Sequence, residues 1–419
     1  FSTVGTYPIT ITTFVPNADC GSVQDIDFDL GVSDPPVVSF NVVTPGCYLE
    51  PVVATETTPQ IPKATYKIWW EFFDPVTNTT TVYATIPTNN YRTVSHTFTT
   101  PGVKRIRHAS ITTPGCLSDT IVQNITLPDL PTATIAGNTS VCINAVPSVP
   151  VTFTGSLGTA EYLFSYNING GATIVTPPST GSTFTINAPT NVAGTFIYNL
   201  IGVTNTVPVG TPCTRVITGQ SVTVNINPLP IAAIAGGTTV CLNGIQPPVT
   251  FTGSGSTAPY TFAYTINGVP QTPVVSNGAG IYTLNAPTNV AGPFNYTITQ
   301  VTDASSTLCS AVTNVSTLIT VNDLPNASIN GATAVCLNAA QPPVTFTGSG
   351  GTAPYTFNYT INGLAQPPLV SNAAGIGTIN APTNVAGIFT YALVSVQEGS
   401  PIACLRTGLT GTTIITVNP

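Results

Sequence analysis

Residues 260–268 read YTFAYTING. Tyr260, Phe262 and Tyr264 alternate with Thr261, Ala263 and Thr265. Side chains along a strand point to opposite faces in turn, so this pattern predicts a strand with its three aromatics on one core-facing side. Asn267-Gly268 comes next, a pair that readily takes the positive φ angles of a tight hairpin. The stretch returns as YLFSYNING at 162–170 and YTFNYTING at 355–363. A core strand and its turn are thus written three times in one chain.

Working outward, every neighbouring segment is also repeated. LPTATIAGNTSVC, LPIAAIAGGTTVC and LPNASINGATAVC begin at 130, 229 and 324, and VTFTG follows at 151, 249 and 344. APTNVAG occurs at 188–194, 286–292 and 381–387. A recurrence of this length marks three copies of one structural unit. In the copy at 230–322, strands are predicted near 231–235, 248–253, 260–266, 270–275, 281–285, 293–301 and 314–322. Seven short strands in a unit of this size predict an immunoglobulin-like β-sandwich.

The whole chain has 419 residues, too many for one ordinary sandwich. Residues 34–129 form a further domain of similar length, and 1–33 match the end of another, with FSTVGTYPI set against FTTPGVKRI at 98–106. The predicted organisation is 1–33, 34–129, 130–228, 229–323 and 324–419: tandem all-β sandwiches in an elongated rod. The Leu-Pro junctions at Pro131, Pro230 and Pro325 fix φ and restrict the preceding residue, which favours semi-rigid joints. The lack of Met suggests a piece of a longer protein, with further domains of the same chain on both sides.

Composition narrows the function. Only 5% of residues are charged and the net charge is −7, which argues against nucleic acid as a partner. No apolar run approaches the ~18 residues of a membrane span, so no insertion is expected. Apolar content of 42%, strongly patterned, supports packed cores rather than disorder. His96 and His108 are the only histidines, and charged residues after 131 are few and scattered. No paired carboxylates or nucleophile–base pair can be assembled in one repeat, so no enzyme activity is expected.

Cysteines carry the compartment argument. After Cys20 they fall into neighbours at a nearly constant spacing, one such interval in each domain. That rhythm predicts one disulfide per domain: Cys47–Cys116, Cys142–Cys213, Cys241–Cys309 and Cys336–Cys404, each stapling two loops at one pole. Cys20 is then the second cysteine of a domain whose first half, partner included, lies outside the chain. Disulfides at this density place the protein outside the cytosol.

Candidate sites are sparse. Asp25, Asp27 and Asp29 share a strand face and Asp34 lies at the next junction, a candidate Ca²⁺ site; no other cofactor is expected. Trp69 and Phe73 point away from the core aromatics of 66–75 and are candidate contacts for a glycan such as a surface polysaccharide. Lys104, Arg105 and Arg107 form a basic cluster, read as a solvated strand with local ion pairs. APTNVAG reads as the corner before the sixth strand. Gly194, Gly292 and Gly387 permit its turn, and Tyr198, Tyr296 and Tyr391 follow as analogues of a tyrosine corner.

Two resemblances add to this reading. WEFFDP at 70–75 resembles the W-x-F-G-D-G run of PKD domains, departing at Phe73 and Pro75, and HTFTTPGVKRI at 96–106 resembles their later turn and strand. This implies a PKD-like sandwich for 34–129. The VTFTGSGGTAPYTF and YTING style of the three copies resembles the repeats of very large surface adhesins of Bacteroidota, including gliding-motility adhesins exported by type IX secretion. That resemblance implies extension and attachment at the cell surface, without chemistry. DTI at 119–121 resembles the O-glycosylation motif of that phylum, which makes Thr120 a candidate glycan site. The expected role is the stalk of a surface adhesin. The alternatives are a filament subunit assembling with copies of itself, or the non-catalytic accessory domains of a secreted polysaccharide- or protein-degrading enzyme.

Overall fold

The structure is a computed structural model that describes residues 2–14, 23–58, 65–85, 92–112, 115–158, 160–206 and 212–419. Cys20 lies outside the described residues. There is no helix among the described residues; the chain is all-β, built as tandem immunoglobulin-like sandwiches. It divides into two compact bodies. One is Phe1–Thr139 with Val146–Thr190 and Thr195–Asn225, and the other is Ser140–Ala145 and Asn191–Gly194 with Ile226–Pro419.

In the second body, the repeat at 229–323 places Pro248–Ser254 between Ile231–Ala235 and Ile281–Asn285 in one antiparallel sheet. The facing sheet runs Thr238–Cys241, Ser310–Asn322, Gly292–Thr302, Thr261–Ile266 and Val269–Pro270. The repeat at 324–419 has the same order, with Thr333–Cys336, Thr412–Asn418, Gly387–Gln397 and Thr356–Ile361 in its larger sheet. The predicted alternation is realised. Tyr260 and Phe262 are buried, and Phe262 packs 5.8 Å from Phe251 of the opposite sheet. Burying a Phe side chain contributes about 1.5–3 kcal/mol, and the same contact, made also by Phe153 with Phe164 and Phe346 with Phe357, anchors each of the three repeats.

The glycine of VTFTG has a physical cause. A Cβ on Gly253 would stand 2.3 Å from the Tyr260 ring, and one on Gly348 would stand 2.3 Å from Tyr355. The closely packed ring sends its hydroxyl back along the chain. Tyr260 donates to the Ser256 carbonyl at 2.6 Å, and Tyr162 donates to the Leu157 carbonyl at 2.7 Å. This is the hydroxyl-to-upstream-carbonyl bond of a tyrosine corner, made by a different tyrosine from the one expected. Tyr391, at the expected corner, is buried with its hydroxyl in no hydrogen bond.

The 34–129 domain pairs Pro51–Glu56 with Phe40–Val43 and Thr93–Thr97, facing a sheet of Thr79–Thr85, Thr65–Asp74, Gly102–Thr112 and Ile121–Leu127. Trp70 and Phe72 are buried in its core, with His108 stacked on Trp70 at 3.9 Å. The basic cluster is not a solvated strand throughout. Strand parity puts Lys104 on the same side as Ile106, and it is fully buried. Its Nζ donates to Asp74 Oδ1 and to Thr100 Oγ1, each at 2.6 Å. Arg105 and Arg107 face outward, each 3.4 Å from Glu71 Oε1.

Removing one partner of a buried ion pair strands the other charge, at a cost of about 3–5 kcal/mol. Asp74→Ala is therefore expected to destabilise this domain by about that amount. Asp74→Leu combined with Lys104→Met should recover most of the loss. Both tryptophans, Trp69 and Trp70, lie here, so urea unfolding followed by Trp fluorescence reads this domain alone.

Acid should act on the same domain in two stages. Burial lowers the pKa of His96 from its ordinary 6.5, although the Asp74 charge opposes the shift. Burial pushes the Asp74 carboxyl up, but Lys104 and Thr100 outweigh it and hold it below its usual range. Glu56 is likewise pushed up by burial and held below its usual range by His108, Thr58 and Arg92. In all three cases the unfolded chain takes up the proton first, so stability falls with pH. The loss begins below about pH 6.5 through His96 and resumes below about pH 4 through the carboxylates. Thermal melts by Trp fluorescence at pH 7, 5.5 and 3 should show both steps, and His96→Phe should remove the first.

Candidate functional site: staggered disulfide joints

In the repeat at 229–323, the strand Thr238–Cys241 runs parallel to the last strand, with Cys241 opposite Asn322. Cys336 stands opposite Asn418 in the same way. The residue after each first cysteine donates its N–H to the carbonyl at the end of the last strand. Tyr48 reaches Pro128, Ile143 reaches Asn227, Leu242 reaches Asn322 and Leu337 reaches Asn418, at 2.7–3.2 Å. All four first cysteines are therefore pinned where the chain leaves its module.

The second cysteines stand at the other end, just before the last strand begins. Cys309 precedes Ser310–Asn322, and Cys213 precedes Thr214–Asn227. From Ser310 to Asn322 a strand rising ~3.3 Å per residue covers about 40 Å. A disulfide needs Cα atoms within about 7 Å. The expected bonds within each domain, Cys47–Cys116, Cys142–Cys213, Cys241–Cys309 and Cys336–Cys404, therefore do not form.

Instead, three of the four first cysteines bond the second cysteine of the following module. The bonds are Cys47–Cys213, Cys142–Cys309 and Cys241–Cys404, with Cα–Cα distances of 5.9, 5.6 and 5.5 Å. Cys116 and Cys336 are free thiols. The short strand Thr238–Cys241 is what the sequence reading lacked. It placed Cys241 in a loop between the first two strands, without the parallel pairing that carries it to the far pole.

The joint has a recurring frame. At the end of the long strand before each second cysteine, the N–H groups of Asn205, Asp303 and Glu398 bond the carbonyls of Cys213, Cys309 and Cys404. The side chains of these three residues are buried. Asn205 Oδ1 accepts from the Cys213 N–H at 2.7 Å, and Asp303 Oδ1 accepts from the Ser305 hydroxyl at 2.8 Å. Glu398 accepts from the Thr352 N–H and the Ser400 hydroxyl, each at 2.9 Å. These acceptors hold the loop that presents the cysteine. Their shared place, a short way upstream of each second cysteine, was the available signal. Across one joint, Asn227 Nδ2 donates to Thr307 Oγ1 at 2.9 Å, and that hydroxyl lies 3.1 Å from Cys309 Sγ.

APTNVAG belongs to this frame. Thr288 and Thr383 are buried and donate to the carbonyls of Gly244 and Ala339, in the loops just after Cys241 and Cys336. Gly292 and Gly387 take φ of 137° and 149°, which a side chain would strain. The motif braces the pole that carries the first cysteine.

The other candidates fare differently. Asp25, Asp27 and Asp29 are exposed on the strand Val23–Val32, and Thr10 donates to Asp27 at 2.6 Å. An extended strand spreads alternate residues about 6.6 Å apart, so Asp25 and Asp29 are separated by about 13 Å. Among the described residues no three His, Cys, Asp or Glu side chains come together as a metal site; Asp34 is exposed. Arg105 covers the Phe73 ring at 4.5 Å. Trp69 and Thr120 share the wall of an open cavity of about 240 Å³ with Lys67, Ala109, Ile111 and Leu117.

No protein-family model matches the chain, and no curated protein matches it. Among solved structures it is similar to one from a 1.5-MDa bacterial ice-binding adhesin, at 16% identity and a TM-score of 0.37, covering 69% of this chain and 98% of that one. It is also similar to a tetra-tandem repeat from the extending region of a large adhesion protein, at 11% identity and a TM-score of 0.30, covering 90% and 98%. A third likeness is the D1–D4 ectodomain fragment of ICAM-5, at 11% identity and a TM-score of 0.31, covering 91% and 100%.

The three closed loops overlap, so every peptide bond between Cys47 and Cys404 lies inside at least one of them. A single proteolytic nick anywhere in that span should leave a full-length band on a non-reducing gel and two fragments after reduction. Cys241→Ser should free one additional thiol, Cys404, in an alkylation map. If the bonds closed within modules, the freed thiol would be Cys309.

Proposed function

We propose that the chain is a non-catalytic structural segment of a long extracellular bacterial surface adhesin, a load-bearing stalk that projects its binding parts from the cell. The observation that carries this reading is the staggered pairing of cysteines. From Cys47 a bond leads to Cys213, a short run of backbone continues to Cys241, and a bond leads on to Cys404. Tension entering at Cys47 can therefore bypass most of the backbone that separates it from Cys404. The disulfides support an extracellular setting, and the low charge supports a surface without nucleic-acid partners. The Bacteroidota, gliding-motility and type IX assignments rest on the sequence style alone.

A second reading, a filament built from copies of the chain, draws on one observation. The hairpin Gly5–Phe14 with Val23–Val32 leaves Ile11, Ile26 and Phe28 exposed at 48, 56 and 43%. Two strands with a bare apolar side offer a face for added strands.

Pulling the chain from its ends in a force spectrometer tests the stalk reading. At ~3.6 Å per residue, the oxidised span from Cys47 to Cys404 should extend to no more than roughly 100 Å. With reductant, successive unfolding events of roughly 340 Å each should appear as whole modules unravel. Large unfolding events in the oxidised chain would remove the load-bearing reading. Imaging native material separates single whiskers on cells from ordered fibres.

A further inference from the structure

The joints define two covalent ties rather than one. The first runs Cys47–Cys213, backbone to Cys241, then Cys241–Cys404. The second runs from Cys116 along the backbone to Cys142, across Cys142–Cys309, then along the backbone to Cys336. Each backbone leg contains a last strand and the first strands of the next module. The legs 213–241, 116–142 and 309–336 are nearly equal in length. The two free thiols among the described residues, Cys116 and Cys336, are the two ends of the second tie.

We infer that Cys336 and Cys116 are half-joints, each waiting to bond a consecutive module of this same repeat type. Cys336 takes the second cysteine of a module docked where the 324–419 repeat ends. Cys116 takes the first cysteine of the module whose last two strands are Gly5–Phe14 and Val23–Val32. The inference depends on the joint geometry and stands whether the segment works as a stalk or as a filament.

Two separate observations point to these partners. Cys336 repeats the position of Cys241 in every backbone detail: the same parallel strand, the same opposing Asn, and the same N–H bond from the next residue. Cys241 is half-buried in its joint, whereas Cys336 is exposed. At the other end, register identifies the neighbour of Cys116. Gly5 pairs with Val32 as Gly292 pairs with Val321 and Gly387 with Val417. Ser33 is thus the counterpart of Asn322 and Asn418, the residues opposite the first cysteines. Cys116 Sγ lies 3.2 Å from Ser33 Oγ. The second-cysteine thiol already stands beside the place where a first cysteine belongs.

Closing a joint converts two thiols to one S–S bond, releasing two protons and two electrons. The electrons pass to a disulfide oxidant such as oxidised glutathione, which is reduced to two thiols. The partner is assigned to the same chain because all three closed joints link consecutive modules of one chain.

The test lengthens the full chain by duplicating residues 324–419 in frame after Pro419, folded in a glutathione redox buffer. Non-reducing peptide maps should show Cys336 bonded to Cys404 of the added copy, and Cys336 should lose its reactivity to iodoacetamide. Cys404→Ser in the added copy should restore that reactivity while the three existing bonds persist. The inference falls if Cys336 stays alkylatable in the lengthened chain while the added copy closes a bond within itself. Dimers of the original chain linked from Cys336 to Cys116 would overturn the assignment to a consecutive module. For the front end, Ser33→Cys in the original chain should protect Cys116 from alkylation; continued reactivity of Cys116 would overturn that half.

Discussion

The parallel pairing of a four-residue strand with the last strand of its module governs the rest of the structure. Thr238–Cys241 and Thr333–Cys336 could have continued the three-stranded sheet that the preceding strand joins. They cross instead to the facing sheet and run alongside Ser310–Asn322 and Thr412–Asn418. A parallel partner ends where the last strand ends, so the first cysteine is delivered to the exit pole. The second cysteine, placed just before the last strand starts, is left at the entry pole. One short ladder of hydrogen bonds thereby turns a within-module staple into a between-module joint.

The joint suits a chain with so few charges. In the three repeats almost no ion pairs are available to fix one module against the next, and surface pairs would contribute little in any case. Covalent closure does not depend on salt or pH over the ordinary range. In the chain-entropy view, the sequence separations of 163–167 constrain the unfolded chain by about 5 kcal/mol, against about 4–5 kcal/mol for a loop closed within one module. The gain from staggering is therefore only slightly thermodynamic. Its larger effect is on connectivity: the overlapping loops bind the repeats at 130–228 and 229–323 each to both neighbours. The buried acceptors Asn205, Asp303 and Glu398, the Thr288 and Thr383 braces, and the positive-φ glycines of APTNVAG all serve the two poles where these bonds close.

Much of the fold was legible in particular residues. The alternation of Tyr260, Phe262 and Tyr264 named the core face, and Asn267-Gly268 named the turn. The same parity set Trp69 and Phe73 apart from the core aromatics of 66–75, and Trp70 and Phe72 are indeed buried. Lys104 shows where such reading stopped. Parity with Ile106 pointed it inward, but its charge suggested water, and only the placement of Asp74 and Thr100 makes burial tolerable. The corner shows a related limit: bonds from a tyrosine hydroxyl to an upstream carbonyl are made by Tyr162 and Tyr260, while the buried Tyr391 hydroxyl makes none. Which hydroxyl finds a carbonyl depends on the bend of the chain around Gly253 and Gly348, and residue order does not state it.

The cysteines draw the line most clearly. Their even spacing, from Cys47 through to Cys404, determined that pairing follows the repeat. A periodic pattern is unchanged when it is shifted by one period, so the same spacing fits bonds within modules and bonds to the next module equally well. The sequence by itself determined the repeat, the sandwich, the core faces and the existence of a regular disulfide series. The tertiary structure alone decided which member of the series each cysteine meets. The reason is distance: a disulfide spans a few ångströms, and only the folded strand shows that the two cysteines of one module stand a full strand length apart.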